Sequence, residues 1–404
     1  MNIEILTARI LERMSGINKF RKDFMIHFFL LLMSIRGRYN FINFSRQGNK
    51  SEITYRRWAD KPFDYLEFNR NLLQTELPAD EYIIAYDHSF IKKSGKKTPG
   101  IGYFWSGCAS RVERGIEIGS FAAVGINSKT AFHLIADQTI REDQKEKESC
   151  LDYYGAIVHN YATQLKSISS ILVVDSFFPK KPFIEKVLSD GFSLVSKLAS
   201  NAKLLYPYLG KRTGKRGRPK KYDGKVDLLN PRENHFRHFL TNEGYDAYEG
   251  QVYLNNFKMK LSKCVVVHVP NKKGEISVQI FFSTDENTSA ENVLKYYSLR
   301  FQIEFTYRDA KQFTGLSHSQ ARNKQRFHEH INASLTTVNL AKALHLSEQP
   351  KSGEKKPFSM ASYKIEAANK LITDIIFMHL EINPKLKENK QLMETIYKIG
   401  SIAA

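Results

Sequence analysis

The pattern of apolar and polar positions changes character along the chain. Residues 1–75 read as helical and basic. The longest apolar run, "FMIHFFLLLMSI" over residues 24–35, is too short to span a bilayer and contains His27. It lies too far in for a signal peptide, so a buried helix is expected there. "NKSEITYRRWAD" predicts a short helix capped by Ser51, and "FDYLEFNRNLLQTE" predicts another after Pro62. With Arg56, Arg57 and Arg70, these helices form either a small DNA-binding unit or a layer packed on the rest of the protein.

From residue 82 the pattern is strand-like. "YIIAYDHSF" is a short strand ending near Asp87. After a Lys/Gly turn, "GIEIGSFAAVGIN" and "TAFHLIADQT" are two more strands, joined by a turn at Asn127–Lys129. Residues 144–166 read as a helix, and "SISSILVVDSFF" as a buried strand with Asp175 at its end. "PKKPFIEKVLSD" opens on prolines, as helices do, and "GFSLVSKL" is a further strand. Three strands, helix, strand, helix, strand predicts a mixed α/β sheet with helices on its faces.

Residues 200–285 behave as an insertion. A basic, Gly-rich loop, "KRTGKRGRPKKYDGK", precedes the strands "YEGQVYLN", "KCVVVHVP" and "EISVQIFFSTD". Helical patterning returns after Ser289 and runs to about residue 347. A charged linker, "SEQPKSGEKKP", then leads to a last helical stretch. The expected division is 1–78 helical and DNA-binding, 79–199 first part of the core, 200–286 β-rich insertion, 287–347 second part of the core, and 348–404 C-terminal helical region.

Charge narrows the partners. Across 404 residues, 61 Lys and Arg against 42 Asp and Glu give a net charge of +19. Such an excess points to a polyanion, with nucleic acid ahead of an anionic membrane surface. Cys108, Cys150 and Cys264 are far apart in sequence. Their spacing argues against a zinc site or a disulfide framework and suits a reducing cytoplasm.

Candidate chemistry rests on three carboxylates. Asp87 follows "IIAY" and Asp175 follows "ILVV", each at the end of an apolar run. Either alone reads as a turn or helix cap. On neighbouring strands, the two meet at one sheet edge and either bind a metal or shift their pKa. Hard oxygen ligands favour Mg²⁺ or Mn²⁺. The third is Glu304, in "YYSLRFQIEFTYRDAKQ". At about 100° per residue, Tyr297, Arg300 and Lys311 share its helical face, with Arg308 on the same side. One reading is a solvated face with Arg300–Glu304 and Glu304–Arg308 pairs. The other is a metal-binding carboxylate among phosphate clamps.

The spacing of Tyr297, Arg300, Glu304 and Lys311 is Y-x2-R-x3-E-x6-K. Behind "AYDHSFIKKSGKK" and "LVVDSFF", it resembles the DDE-type insertion-sequence transposases of the Y-R-E-K branch, over roughly residues 80–340. The resemblance implies a ribonuclease-H-like core with a β-strand insertion and helical terminal regions. It implies Asp87, Asp175 and Glu304 as a triad holding two Mg²⁺ or Mn²⁺ ions. The implied activity is cleavage of transposon ends, then attack of the freed 3′-hydroxyl on target DNA. The implied partners are double-stranded inverted-repeat ends, target DNA and a second copy of the chain. No membrane is implied, and the expected place is the bacterial nucleoid in the cytoplasm. Rival readings are a stand-alone nuclease with the same core and a catalytically silent DNA-binding descendant.

Further DNA contacts are expected from Lys215, Arg216 and Arg218 in "KRGRPKK", and from Arg322, Lys324 and Arg326 in "HSQARNKQRFHEH". His88 is given no metal role. Asp137 and Asp285 are read as structural, and Asp309 as a nearby carboxylate pointing away from the Glu304 face.

Overall fold

The computed structural model describes residues 2–140, 149–211, 218–240, 245–254, 261–271, 273–350 and 356–402. Five helices open the chain: α1 (Ile3–Glu12), α2 (Lys19–Ser34), α3 (Phe41–Gln47), α4 (Glu52–Ala59) and α5 (Tyr65–Glu76). The apolar run of residues 24–35 lies largely in α2, with Phe29, Leu31 and Leu32 buried. Ser51 caps α4 by accepting from the Thr54 amide, as expected for a serine before a helix. α5 packs on the sheet, so this part of the N-terminal region is a layer on the core.

The core strands are β1 (Tyr82–Lys92), β2 (Gly102–Ser106), β3 (Arg111–Gly125), β4 (Ala131–Gln138), β5 (Ile171–Val174) and β6 (Ser193–Leu198). Helix α6 (Cys150–Lys166) precedes β5, and α7 (Lys181–Ser189) joins β5 to β6. A reciprocal cap between Ser149 and Asp152 starts α6. β3 pairs antiparallel with both β4 and β1, while β5 runs parallel to β1 and β6. The spatial order β4-β3-β1-β5-β6, with crossover helices where the strands turn parallel, is a ribonuclease-H-like mixed sheet flanked by helices.

Two expectations about this half change. β1 does not end near Asp87; it continues to Lys92, because β3 stays paired with it as far as Lys92↔Gly115. β2 was not foreseen. Its exposed Tyr103 and Trp105 alternate with buried Phe104 and Ser106, a pattern too short to stand out between turn residues.

The insertion contributes β7 (Leu204–Pro207), β8 (Tyr222–Lys225), β9 (Phe236–Leu240), β10 (Asp246–Leu254), β11 (Leu261–Pro270) and β12 (Ile276–Ser283). Of these, β7 to β9 were not expected. β12 pairs antiparallel with β6 through Ile280↔Leu198 to Ser283↔Val195. The insertion therefore continues the core sheet instead of standing apart from it, and all twelve strands share one sheet.

After β12 come α8 (Ala290–Leu299), α9 (Gln302–Phe313), α10 (Lys324–Glu348), α11 (Met360–His379) and α12 (Lys387–Tyr397). The single helix expected over residues 296–312 is two helices meeting at Arg300–Phe301. Both junction residues keep αR backbone angles, but Ile303 and Glu304 bond back three residues, to Arg300 and Phe301. α8 packs on β5, β6, β11 and β12, whereas α9 and α10 pack on β4. Among the described residues, no helix is long and apolar enough to cross a membrane.

Candidate active site

The parallel register of β1 and β5 sets the first two carboxylates. The last matched pair is Tyr86↔Val174, so Asp87 and Asp175 are the next residues of adjacent strands. Neighbouring strands lie about 4.8 Å apart. Val173 and Val174 are buried on both sides of the chain, and the strand ends where Asp175 turns out of the sheet. The Asp175 carboxylate accepts the Phe177 amide, and the Ser196 hydroxyl donates to the backbone oxygens of Val174 (2.9 Å) and Asp175 (3.0 Å).

The third carboxylate arrives through Arg300. Its Nη1 donates to Asp87 Oδ2 at 2.7 Å, and its Nη2 to Glu304 Oε1 at 3.2 Å. One guanidinium thus spans both acids. Arg300 is only 5% exposed, because the junction of α8 and α9 turns it inward against the rings of Tyr297 and Phe301. Glu304 stands in the first turn of α9 with its side chain 47% exposed, open to solvent.

Burial pushes the Asp87 carboxyl up to about 7; Arg300 opposes the rise, Asp175 and Glu304 add to it, and the His88 amide bond opposes it. For Arg300, burial works against the cation, yet Asp87, Tyr297, Glu304 and Asp175 raise its pKa overall. All three carboxylates are therefore within electrostatic reach of one arginine.

The surroundings hold Asp87 in place. The Tyr307 hydroxyl donates to the Asp87 backbone oxygen at 2.9 Å, and Lys311 Nζ to that of Phe90 at 2.9 Å. α9 is thereby tied to β1 at two points, one helical turn apart. Tyr307 was missed in the sequence; its spacing of three from Glu304 and four from Lys311 is the signal that marks it. His88 points the other way along the strand. Its Nε2 lies 3.0 Å from the Tyr86 hydroxyl, and burial lowers its pKa. Gly119 sits opposite in β3, where a Cβ would come within 2.7 Å of the His88 ring. That packing keeps His88 structural.

The other expected contacts divide. Tyr297 packs its ring edge-on to Phe281, 5.1 Å away. Arg308 does not pair with Glu304; it reaches the buried carboxylate of Asp309 at 3.2 Å and stacks over Phe305. Arg326 is committed to Asp60 by two 2.7 Å bonds in a fork. Arg218, Arg322 and Lys324 are exposed. Lys215 and Arg216 lie outside the described residues.

Asp87, Asp175 and Glu304 offer oxygen donors suited to a hard divalent cation, and such a cation would offset both the burial that chiefly raises Asp87 and the smaller repulsion from Asp175 and Glu304. Among the described residues, however, no three acidic, His or Cys side chains stand together as a ready-made metal cluster. Arg300 lies between Asp87 and Glu304 and supplies the positive charge there.

The Transposase DDE domain family matches residues 130–340, more than half the chain. The protein belongs to that family and is a DDE transposase of the insertion-sequence kind. The matched segment includes Asp175 and Glu304; Asp87 precedes it. No curated protein gives a significant match.

Proposed function

We propose that this transposase cuts DNA at the ends of its element and joins the freed 3′-hydroxyl to target DNA, with Asp87, Asp175 and Glu304 as its acidic triad. The observation that carries this reading is Arg300 bridging Asp87 and Glu304, while Asp175 follows Asp87 in register on the adjacent strand. Asp87 and Glu304 share one guanidinium although they are far apart in the sequence, and Asp175 follows the strand adjacent to that of Asp87. The spacing of Tyr297, Arg300, Glu304 and Lys311 supports membership of the Y-R-E-K branch.

The triad would hold a pair of Mg²⁺ or Mn²⁺ ions. When bound, such ions activate a water and stabilise the leaving oxygen of an in-line displacement at phosphorus. The chain's own residues do the positioning. Arg300 offsets the negative charge of Asp87 and Glu304, and is the residue placed to take a phosphate oxygen when a carboxylate is released to a cation. Tyr307 and Lys311 hold α9 against β1, which fixes the separation of Glu304 from Asp87. Residues 1–78 and the insertion loop around Arg218 supply DNA contacts, and a homodimer brings two ends together. We assign the five-part division of the chain on the same basis.

A strand-transfer assay with cognate ends tests the reading. Cleavage followed by joining to target DNA supports it. Cleavage without joining makes the protein a nuclease, and tight binding without cleavage in Mg²⁺ makes it a silent DNA-binding protein.

A further inference from the structure

A large cleft has none of Asp87, Asp175 and Glu304 in its lining. It has a volume of about 640 Å³ and opens between α2, α3 and α4 on one side and the segment 319–330 on the other. Phe24, Phe44 and Tyr55 are buried at its base, and the partly exposed rings of Phe28, Phe41 and Trp58 line it further out. Phe24 stacks on Trp58 with ring centres 5.1 Å apart, and Arg56 lies over Phe41 at 5.0 Å. Asn40 and Gln320 also line the cleft, Asn40 with its side-chain oxygen accepting from the Asn43 amide.

Charge identifies the occupant. The lining carries four arginines, Arg21, Arg56, Arg322 and Arg326, against one carboxylate, Glu329. Glu329 is engaged by Arg21 at 3.6 Å, and Arg56 and Arg326 pair with Glu52 and Asp60 beyond the lining. Arg322 stands exposed in the lining. Ring faces for stacking, arginines for phosphate and amides able to read a polar base edge are the chemistry that holds single-stranded nucleic acid. The volume falls in the range of about 300–1,000 Å³ typical of small-ligand pockets. A purely apolar peptide would leave this positive rim unanswered.

We propose that this cleft is a second DNA site, which takes an unpaired nucleobase and its phosphate from single-stranded DNA. The inference rests on the reading that the protein acts on DNA. It places the base between the N-terminal helices and residues 319–330, in a lining that includes none of the three acids. A strand end that frays after cutting is the natural source of such a base.

Trp58 reports occupancy directly, because the only other tryptophan, Trp105, is 61% exposed on β2 and lies outside the cleft. In the Trp105→Phe protein, emission then comes from Trp58 alone. Titration with a fifteen-nucleotide oligothymidylate is expected to quench it saturably. An abasic strand of equal length should bind more weakly and leave the emission unchanged. Phe41→Ala should weaken oligothymidylate binding about tenfold while duplex binding, read by anisotropy, stays within twofold. Anisotropy that reports bound oligothymidylate with unaltered Trp58 emission overturns the cleft and leaves the transposase reading intact. Equal binding of the abasic strand also overturns it, since phosphate alone would then suffice. No anisotropy change with any DNA removes both this inference and the DNA-cutting reading on which it rests.

Discussion

Arg300 Nη1 lies 2.7 Å from Asp87 Oδ2, although 213 residues separate the two in the chain. The contact joins the helix junction that carries Glu304 to the strand that carries Asp87. It is buried on the arginine side, so its loss leaves Asp87 partly enclosed without its strongest countercharge.

Replacing Arg300 is therefore expected to damage cleavage more than binding. Arg300→Ala should slow end cleavage by about 100-fold or more, the scale seen when one preorganised donor to reacting oxygens is removed. Arg300→Lys keeps the charge but loses the fork, and should recover only a small part. Single-turnover cleavage of a labelled end substrate measures both. Wild-type rates in Arg300→Lys would reduce the residue to a simple countercharge.

Cleavage should also depend on pH through Asp87. Its carboxyl is raised to about 7, so below that value the protonated, neutral form dominates. A neutral carboxyl is a poor ligand for a cation. The cleavage rate at limiting Mg²⁺ should rise about tenfold per pH unit below 7 and level off above it. Raising Mg²⁺ should move the rise to lower pH, because cation and proton compete for the same oxygen. A rate that is flat from pH 5.5 to 8 at limiting Mg²⁺ contradicts the assignment of Asp87.

Salt dependence should separate the exposed arginines from the committed one. Arg218→Ala and Arg322→Ala should each lower the slope of log affinity against log salt by about one. Arg326→Ala should leave the slope unchanged, since its guanidinium is held by Asp60. Its effect on stability should stay within about 1 kcal/mol, because that pair is partly solvated. A reduced slope for Arg326→Ala would show that DNA displaces Asp60.

The core holds a second titrating group. His133 is fully buried; its Nε2 donates to Asn332 Oδ1 (3.0 Å) and its Nδ1 accepts from the Ser120 hydroxyl (2.8 Å). Burial lowers its pKa to about 3. The unfolded chain takes up this proton near pH 6.5 and the folded chain does not. Its contribution to stability is thus present above pH 6.5 and is lost as pH falls toward 3. At pH 4 the loss is about 3 kcal/mol. Urea unfolding at pH 7 and pH 4 should show a loss that is smaller in His133→Gln than in the wild type by about this amount, the remainder coming from other buried groups such as His330, which is lowered to about 4.

Much of the framework could be read from local pattern. Apolar runs marked β1, β3, β4, β5 and β6, and Ser51 marked the start of α4. The carboxylates stood out because Asp87 and Asp175 end apolar runs, and because Glu304 sits within a fixed spacing. Short strands were not legible. β8 is "YDGK" and β7 "LLYP", segments whose strand geometry comes from their partners and not from their own residues. The extension of β1 past Asp87 likewise depends on pairing with β3, a nonlocal effect.

Helical spacing placed Arg300 beside Glu304 on one straight helix, as either a solvated ion-pair face or a metal-binding carboxylate among phosphate clamps. The junction at Arg300–Phe301 turns Arg300 inward, where only the tertiary fold could reveal Asp87 as its partner. Lys311, expected to face DNA, donates to the Phe90 carbonyl, a nonlocal contact that spacing does not reveal.

The claim at the centre is that Asp87, Asp175 and Glu304 jointly hold divalent cations on bound DNA. Calorimetric titration of Mn²⁺ into the protein–DNA complex tests it most directly, comparing wild type with Asp87→Asn, Asp175→Asn and Glu304→Gln. Each substitution is expected to weaken Mn²⁺ binding at least tenfold while the complex itself stays assembled. Unchanged Mn²⁺ stoichiometry and affinity in all three variants would contradict the shared site.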